Sequence, residues 1–135
     1  MKALAAALAA VALLAGAASA ATPAPARVQV AAREFYFVLS RHTLVAGPAI
    51  VELVNFGEDP HDLRLQRIGG AHIAGTPQVQ PGDHYDLSLT LRAGEYRVWC
   101  SIANHRQLGM QAVLTVVAPR TDPGTQANGG ARIRT

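Results

Sequence analysis

The 135-residue chain is 50% hydrophobic, carries a formal net charge of +3 and holds a single cysteine. That length leaves room for one domain behind a targeting segment, and a lone cysteine excludes an internal disulfide. The basic surplus is peripheral: eight Arg face eight Asp or Glu between Ala21 and Pro119, and no basic stripe with interleaved aromatics supports nucleic-acid binding.

Met1 and Lys2 precede an apolar run from Ala3 to Ala15 and the small-residue site Ala18-Ser19-Ala20. This is the pattern of a secretory signal peptide, residues 1–20, cleaved after Ala20. The run is short for a membrane span and no stop-transfer cluster follows it. Leu14-Ala15-Gly16 is followed by Ala17 rather than by the cysteine that lipid attachment needs. The mature chain is therefore expected outside the cytoplasm, periplasmic or extracellular, as a monomer with no stable membrane insertion.

The domain is assigned to residues 21–119. After Thr22-Pro23-Ala24-Pro25, Val28 and Val30 alternate with Gln29 and Ala31. Phe35, Phe37 and Leu39 alternate with the apolar Tyr36 and Val38, which predicts a run buried on both faces. His42 to Val45 is a short extended piece stopped at Gly47-Pro48, and Ala49 to Phe56 is β-branched and apolar. Gly57-Glu58-Asp59-Pro60 is a turn. His61, Leu63 and Leu65 then share one face, with Asp62, Arg64 and Gln66 on the other. Ile68 to Pro81 reads as loop. Tyr85, Leu87, Leu89 and Leu91 alternate with Asp86, Ser88 and Thr90, the pattern of a half-buried strand. Tyr96, Val98 and Cys100 oppose Arg97 and Trp99, and Ala112, Leu114 and Val116 oppose Val113, Thr115 and Val117. Short strands at regular spacing between Gly and Pro turns predict an all-β sandwich or barrel. Residues 120–135 are polar and Gly-rich, and are read as a disordered tail.

Chemistry concentrates in WCSIANHRQLGM, Trp99 to Met110, where His105 lies five residues after Cys100 and Met110 five after that. An unpaired thiol in an exported protein is reactive unless occupied, and metal ligation occupies it. Sulfur and imidazole donors suit copper, whereas calcium and magnesium want oxygen. Two His and one Cys in a trigonal set, with a long bond to Met, make a blue-copper site. One more His is needed. His84 is in phase with polar residues, His72 lies in a Gly-rich loop, and His42 has no nearby donor. His61 follows a Pro turn at a sheet end and is in phase with Leu63 and Leu65. Taken singly, a Cys or Met is more often core packing and a His more often surface; the combination and its spacing favour a site.

In two blocks the sequence resembles the cupredoxins, the small blue copper proteins such as plastocyanin, azurin and rusticyanin. One block is VNFGEDPHDLRL, with Asn55, Gly57 and His61; the other is GEYRVWCSIANHRQLGM, with Gly94, Tyr96, Val98, Cys100, His105 and Met110. The Cys-to-His-to-Met spacing is most similar to that of rusticyanin. The resemblance spans about Arg27 to Val117. It implies a Greek-key β-sandwich and one copper ion, cycling between Cu(I) and Cu(II), held by His61, Cys100, His105 and Met110. It implies one-electron transfer between redox partners rather than an enzyme. His105 is expected to reach the surface, and the rim it forms with Arg106 is expected to be the patch where a redox partner docks. A copper carrier delivering to an exported oxidase is the competing function, and a structural sandwich with an incidental site is a third. The chain departs from the family at Asp62, where many members have Asn, and at Ile102-Ala103-Asn104, where many have Pro. An ionised Asp62 cannot donate towards sulfur; the expectation is that it accepts from the Ser101 hydroxyl and ties the two ligand segments together.

Overall fold

Period-two alternation along most of the chain forces each strand to bury one side, and two sheets packed face to face satisfy that demand. The computed structural model describes residues 21–121. Its strands are β1 (Ala26–Arg33), β2 (Tyr36–Leu39), β3 (Thr43–Val45), β4 (Gly47–Asn55), β5 (Arg64–Arg67), β6 (Ile73–Gly75), β7 (His84–Leu91), β8 (Gly94–Trp99) and β9 (Gln111–Val117). One sheet has the order β2-β1-β4-β7 and the other β3-β9-β8-β5-β6. Both are mixed, because β1 runs parallel to β4 and β3 parallel to β9 while the other pairs are antiparallel. The described residues form no helix, and none is long and apolar enough to cross a membrane. The segment read as a signal peptide, residues 1–20, and the part of the expected tail beyond Thr121 lie outside the described residues.

The core follows the predicted alternation. Val28, Val30, Val51 and Leu53 from one sheet meet Leu65, Val98, Leu114 and Val116 from the other, all buried. Tyr96 is buried too. Its hydroxyl accepts from the Arg92 N–H and donates to the Arg92 carbonyl, both at 3.0 Å, which closes the turn between β7 and β8 and satisfies the polar end of the ring.

Three strands depart from the sequence pattern. Tyr36 and Val38 are 46% and 52% exposed, so β2 is buried on one face only. It is an edge strand, and nothing in its own sheet lies over its outer face. The best alternation in the chain, β7, is also imperfectly covered: Leu91 is buried, but Leu87 and Leu89 are half-buried and Tyr85 exposed. This strand is the other edge of its sheet. Part of the gap facing it is a 370 Å³ cleft lined by Leu89, Leu91, Leu65 and Tyr96. Finally, the stretch read as loop contributes β6, which adds three residues to the edge of β5, and Val79, which pairs with His61 in an isolated bridge. Gly-rich flanks hide so short a strand, since its pairing is set by β5 and not by its own periodicity.

Two registers decide where the chemistry gathers. Trp99 of β8 faces Gln111 of β9, so Cys100 and Met110 leave the sheet side by side, and the Cys100 N–H donates to the Met110 carbonyl at 3.1 Å. Ala32 of β1 faces Asn55 of β4. Extending that parallel pairing by two residues brings Glu34 alongside Gly57, in the turn that leads to His61.

Candidate metal centre

His61, Cys100 and His105 offer donor atoms that all lie within 4.8 Å of one another, and all three residues are buried. Cys100 Sγ is 3.6 Å from His105 Nδ1. The two imidazole centroids are 5.2 Å apart. Met110 is fully buried and lies near His61, and its N–H donates to the His105 carbonyl at 3.0 Å. His42, His72 and His84 are exposed and take no part.

Each residue is held from its own strand end. His61 exchanges two backbone hydrogen bonds with Val79, at 3.1 and 2.7 Å. The turn before it is built on Asn55, whose side chain is completely buried. Its Nδ2 donates to the carbonyls of Asp59 (2.8 Å) and Val79 (3.0 Å), and its Oδ1 accepts from the Gly57 N–H (2.9 Å). A side-chain amide with two donors and one acceptor suits these three partners, and it ties the abrupt turn after β4 to the Val79 segment. The loop from Cys100 to Met110 is closed by turns of its own, with N–H donation from His105 to Ile102, Leu108 to Asn104 and Gly109 to Arg106.

Asp62 behaves as the acceptor anticipated for it. It takes the Ser101 N–H at 2.6 Å and the Ser101 hydroxyl at 2.5 Å, and pairs with the Arg64 guanidinium at 2.9 Å. It is 3% exposed, although the alternation put it on the polar face. A carboxylate this buried is tolerated because all its partners are donors. The residue after one His is thereby locked to the residue after the Cys.

His105, expected at the surface, is only 7% exposed. Phe35 packs on it with ring centroids 4.6 Å apart, and stands edge-on to His61 at 6.5 Å. Trp99 is outside the core cluster, as its phase requires, yet it too is buried: the Arg106 guanidinium lies 4.7 Å from its ring centroid.

Sequence reasoning passed over Glu34. Its Oε1 accepts the N–H groups of Glu58 (2.7 Å) and Asp59 (2.9 Å) and lies 3.1 Å from His61 Nε2. The Asp59 N–H above all, with those of Glu58 and the His61 ring, holds the carboxyl at about 2 against the opposing effect of burial. An isolated acid between two strand-like runs carries no signal of this role, which exists only through the parallel register of β1 and β4.

The donor chemistry passes a test for a metal. His61 Nδ1 is buried without a hydrogen-bond partner, a costly state for an imidazole unless something else takes the lone pair. Burial also pushes the Cys100 thiol above its ordinary range, and a bound cation is the kind of partner that favours the thiolate. One thiolate, two imidazoles and a thioether form a soft set that fits copper.

No family model matches the chain, and no curated protein matches it. Solved structures do. The chain is similar to dithionite-reduced auracyanin from Roseiflexus castenholzii, with a TM-score of 0.57 and 17% identity over 70% of this chain and 99% of that one. Similarity to auracyanin A from Chloroflexus aurantiacus, described as a blue copper protein, has a TM-score of 0.57 at 19% identity, over 70% and 100% of the two chains. For rusticyanin from Thiobacillus ferrooxidans the TM-score is 0.54 at 21% identity, over 67% and 76%. Two mixed sheets closing over a buried His, Cys and Met cluster, in a chain that superposes on auracyanin and rusticyanin, have the cupredoxin fold.

Proposed function

We propose that this is an exported blue copper protein that carries single electrons between redox partners, with His61, Cys100, His105 and Met110 as the copper ligands. The observation that carries the reading is the convergence of three buried donors within 4.8 Å, one of them an imidazole nitrogen with no other partner. Copper, when bound, supplies the one-electron couple. The protein's part is to hold the donors still. Cys100 and Met110 are pinned by strand register, His61 by Val79 and by Asn55's turn, and the two ligand segments by Asp62 and Ser101. Such restraint limits the rearrangement that accompanies each change of oxidation state.

Burial favours an electron carrier over a copper-delivery protein. His61, Cys100 and Met110 are each 0% exposed, whereas delivery needs ligands an acceptor can reach. Titration with Cu(II) is expected to saturate at one ion per chain and to develop an intense thiolate-to-copper band in the visible. The band should bleach on reduction, return on reoxidation, and survive a competing chelator throughout. A colourless adduct, or rapid loss of copper to the chelator, would remove the electron-carrier reading; the second result would favour the carrier.

Docking belongs to the end of the sandwich that holds the His105 loop. There Leu108 is 53% exposed beside Arg106, whose charge is fixed in place over Trp99. Charge at an interface rim acts chiefly on encounter rate. Arg106→Glu is expected to slow oxidation by ferricyanide several-fold at low ionic strength, with the difference fading as salt rises. A rate equal to wild type at every salt concentration would exclude Arg106 from the encounter surface.

A further inference from the structure

One carboxylate oxygen reaches both the loop that carries His61 and the His61 ring. Glu34 Oε1 takes the N–H groups of Glu58 and Asp59 as well as lying 3.1 Å from Nε2. An oxygen that accepts two backbone donors acts as an acceptor, so the third contact is a donation from Nε2–H. That assigns the His61 tautomer. The proton sits on Nε2, and the lone pair sits on Nδ1, which is the buried atom with no partner. The fit is close: a Cβ at Gly57 would overlap the Glu34 carboxylate, so the absence of a side chain there is what lets the acid reach the loop. The side chain is 30% exposed and its partner ring 0%, which places the negative charge at the boundary between solvent and the buried donors. Asp62, the other carboxylate beside the cluster, is committed to Ser101 and Arg64.

We infer that Glu34 is a positioning residue for the metal centre: it fixes His61 in the tautomer that presents Nδ1 to the cluster, and its charge favours the oxidised state of the bound ion. This rests on the copper reading above only for its second half. A carboxylate behind a ligating imidazole orients the ring and raises its basicity, and a more basic donor favours Cu(II) over Cu(I). The tautomer assignment does not depend on a bound ion, and nothing in the sequence pairs position 34 with position 61.

The test separates the two halves. Glu34→Gln keeps an acceptor oxygen and removes the charge; Glu34→Ala removes both. In metal-free protein, the ring nitrogens of His61 read by long-range proton–nitrogen NMR should show a single Nε2–H tautomer in wild type and in Glu34→Gln. Glu34→Ala should show a mixture or the reverse tautomer. In copper-loaded protein, Glu34→Gln should weaken Cu(II) binding about tenfold more than Cu(I) binding, at the low end of outer-shell effects. For a one-electron couple that is a rise of about 59 mV in reduction potential. An Nδ1–H tautomer in wild type, or one unchanged by Glu34→Ala, would overturn the positioning role. An unchanged potential in Glu34→Gln would overturn the electronic one. If wild type bound no copper the functional reading would fall, while the metal-free spectra would still decide the tautomer. If Glu34→Ala failed to fold, an Nδ1–H tautomer in wild type or in Glu34→Gln would still overturn the positioning role, and the Glu34→Gln potential would decide the electronic one.

Discussion

Copper-loaded protein carrying Cys100→Ser is expected to be colourless, with the visible charge-transfer band gone and not merely shifted. The band requires a thiolate, and a serine hydroxyl neither ionises near neutral pH nor bonds a soft ion well. Removing a partner of a ligand commonly costs about 10–100-fold in metal affinity, so removing the sulfur itself should cost more. The sandwich should survive. Cys100 is fully buried, and the smaller, more polar hydroxyl in its place costs about 1–3 kcal/mol of stability. Absorption spectroscopy after copper addition, alongside urea denaturation of the metal-free protein, separates the two effects. Retention of an intense band in the folded variant would show that Cys100 is not the ligand that gives rise to it.

Asn55→Ala is expected to be the most damaging single change outside the donors, and it should act through folding first. It deletes three hydrogen bonds at once around a fully buried side chain: the Asp59 carbonyl and the Gly57 N–H lose their side-chain partner, and the Val79 carbonyl keeps only the His61 N–H. Each net bond is worth about 1 kcal/mol, and each stranded buried group adds to that. A loss of about 2–4 kcal/mol follows, or roughly 10–30 °C in Tm for a domain of this size. His61 leaves the turn that Asn55 holds, so copper retention should weaken as well. Asn55→Asp is the informative partner: it keeps the acceptor for Gly57 but turns two donations into repulsions, and should be as harmful as alanine or worse. Thermal melts of metal-free protein check the first effect, and chelator competition the second. A Tm within a few degrees of wild type for Asn55→Ala would mean that the turn is held without the Asn55 side chain.

The sandwich was legible because burial is periodic. Val28 and Val30, Leu63 and Leu65, and Leu114 and Val116 each announce an inward face, and each is buried. So was the cluster: Cys100, His105 and Met110 share one loop, and the phase of His61 with Leu63 and Leu65 sets it apart from three exposed histidines. These are local signals, carried by residues a few positions apart.

What the tertiary structure decided involves partners distant in sequence. Edge position, which alternation cannot express, left Val38 in solvent and Leu89 half-covered. Phe35 and Arg106 close over His105 and Trp99, side chains whose own phase and loop position predict exposure. Asp62 is drawn inside by Ser101, 39 residues away. Glu34 meets His61 only because β1 and β4 run parallel with Ala32 opposite Asn55. Composition and spacing name the donors, since donor chemistry belongs to single residues. The groups that orient and cover those donors are chosen by strand register, and register is a property of the assembled sheets.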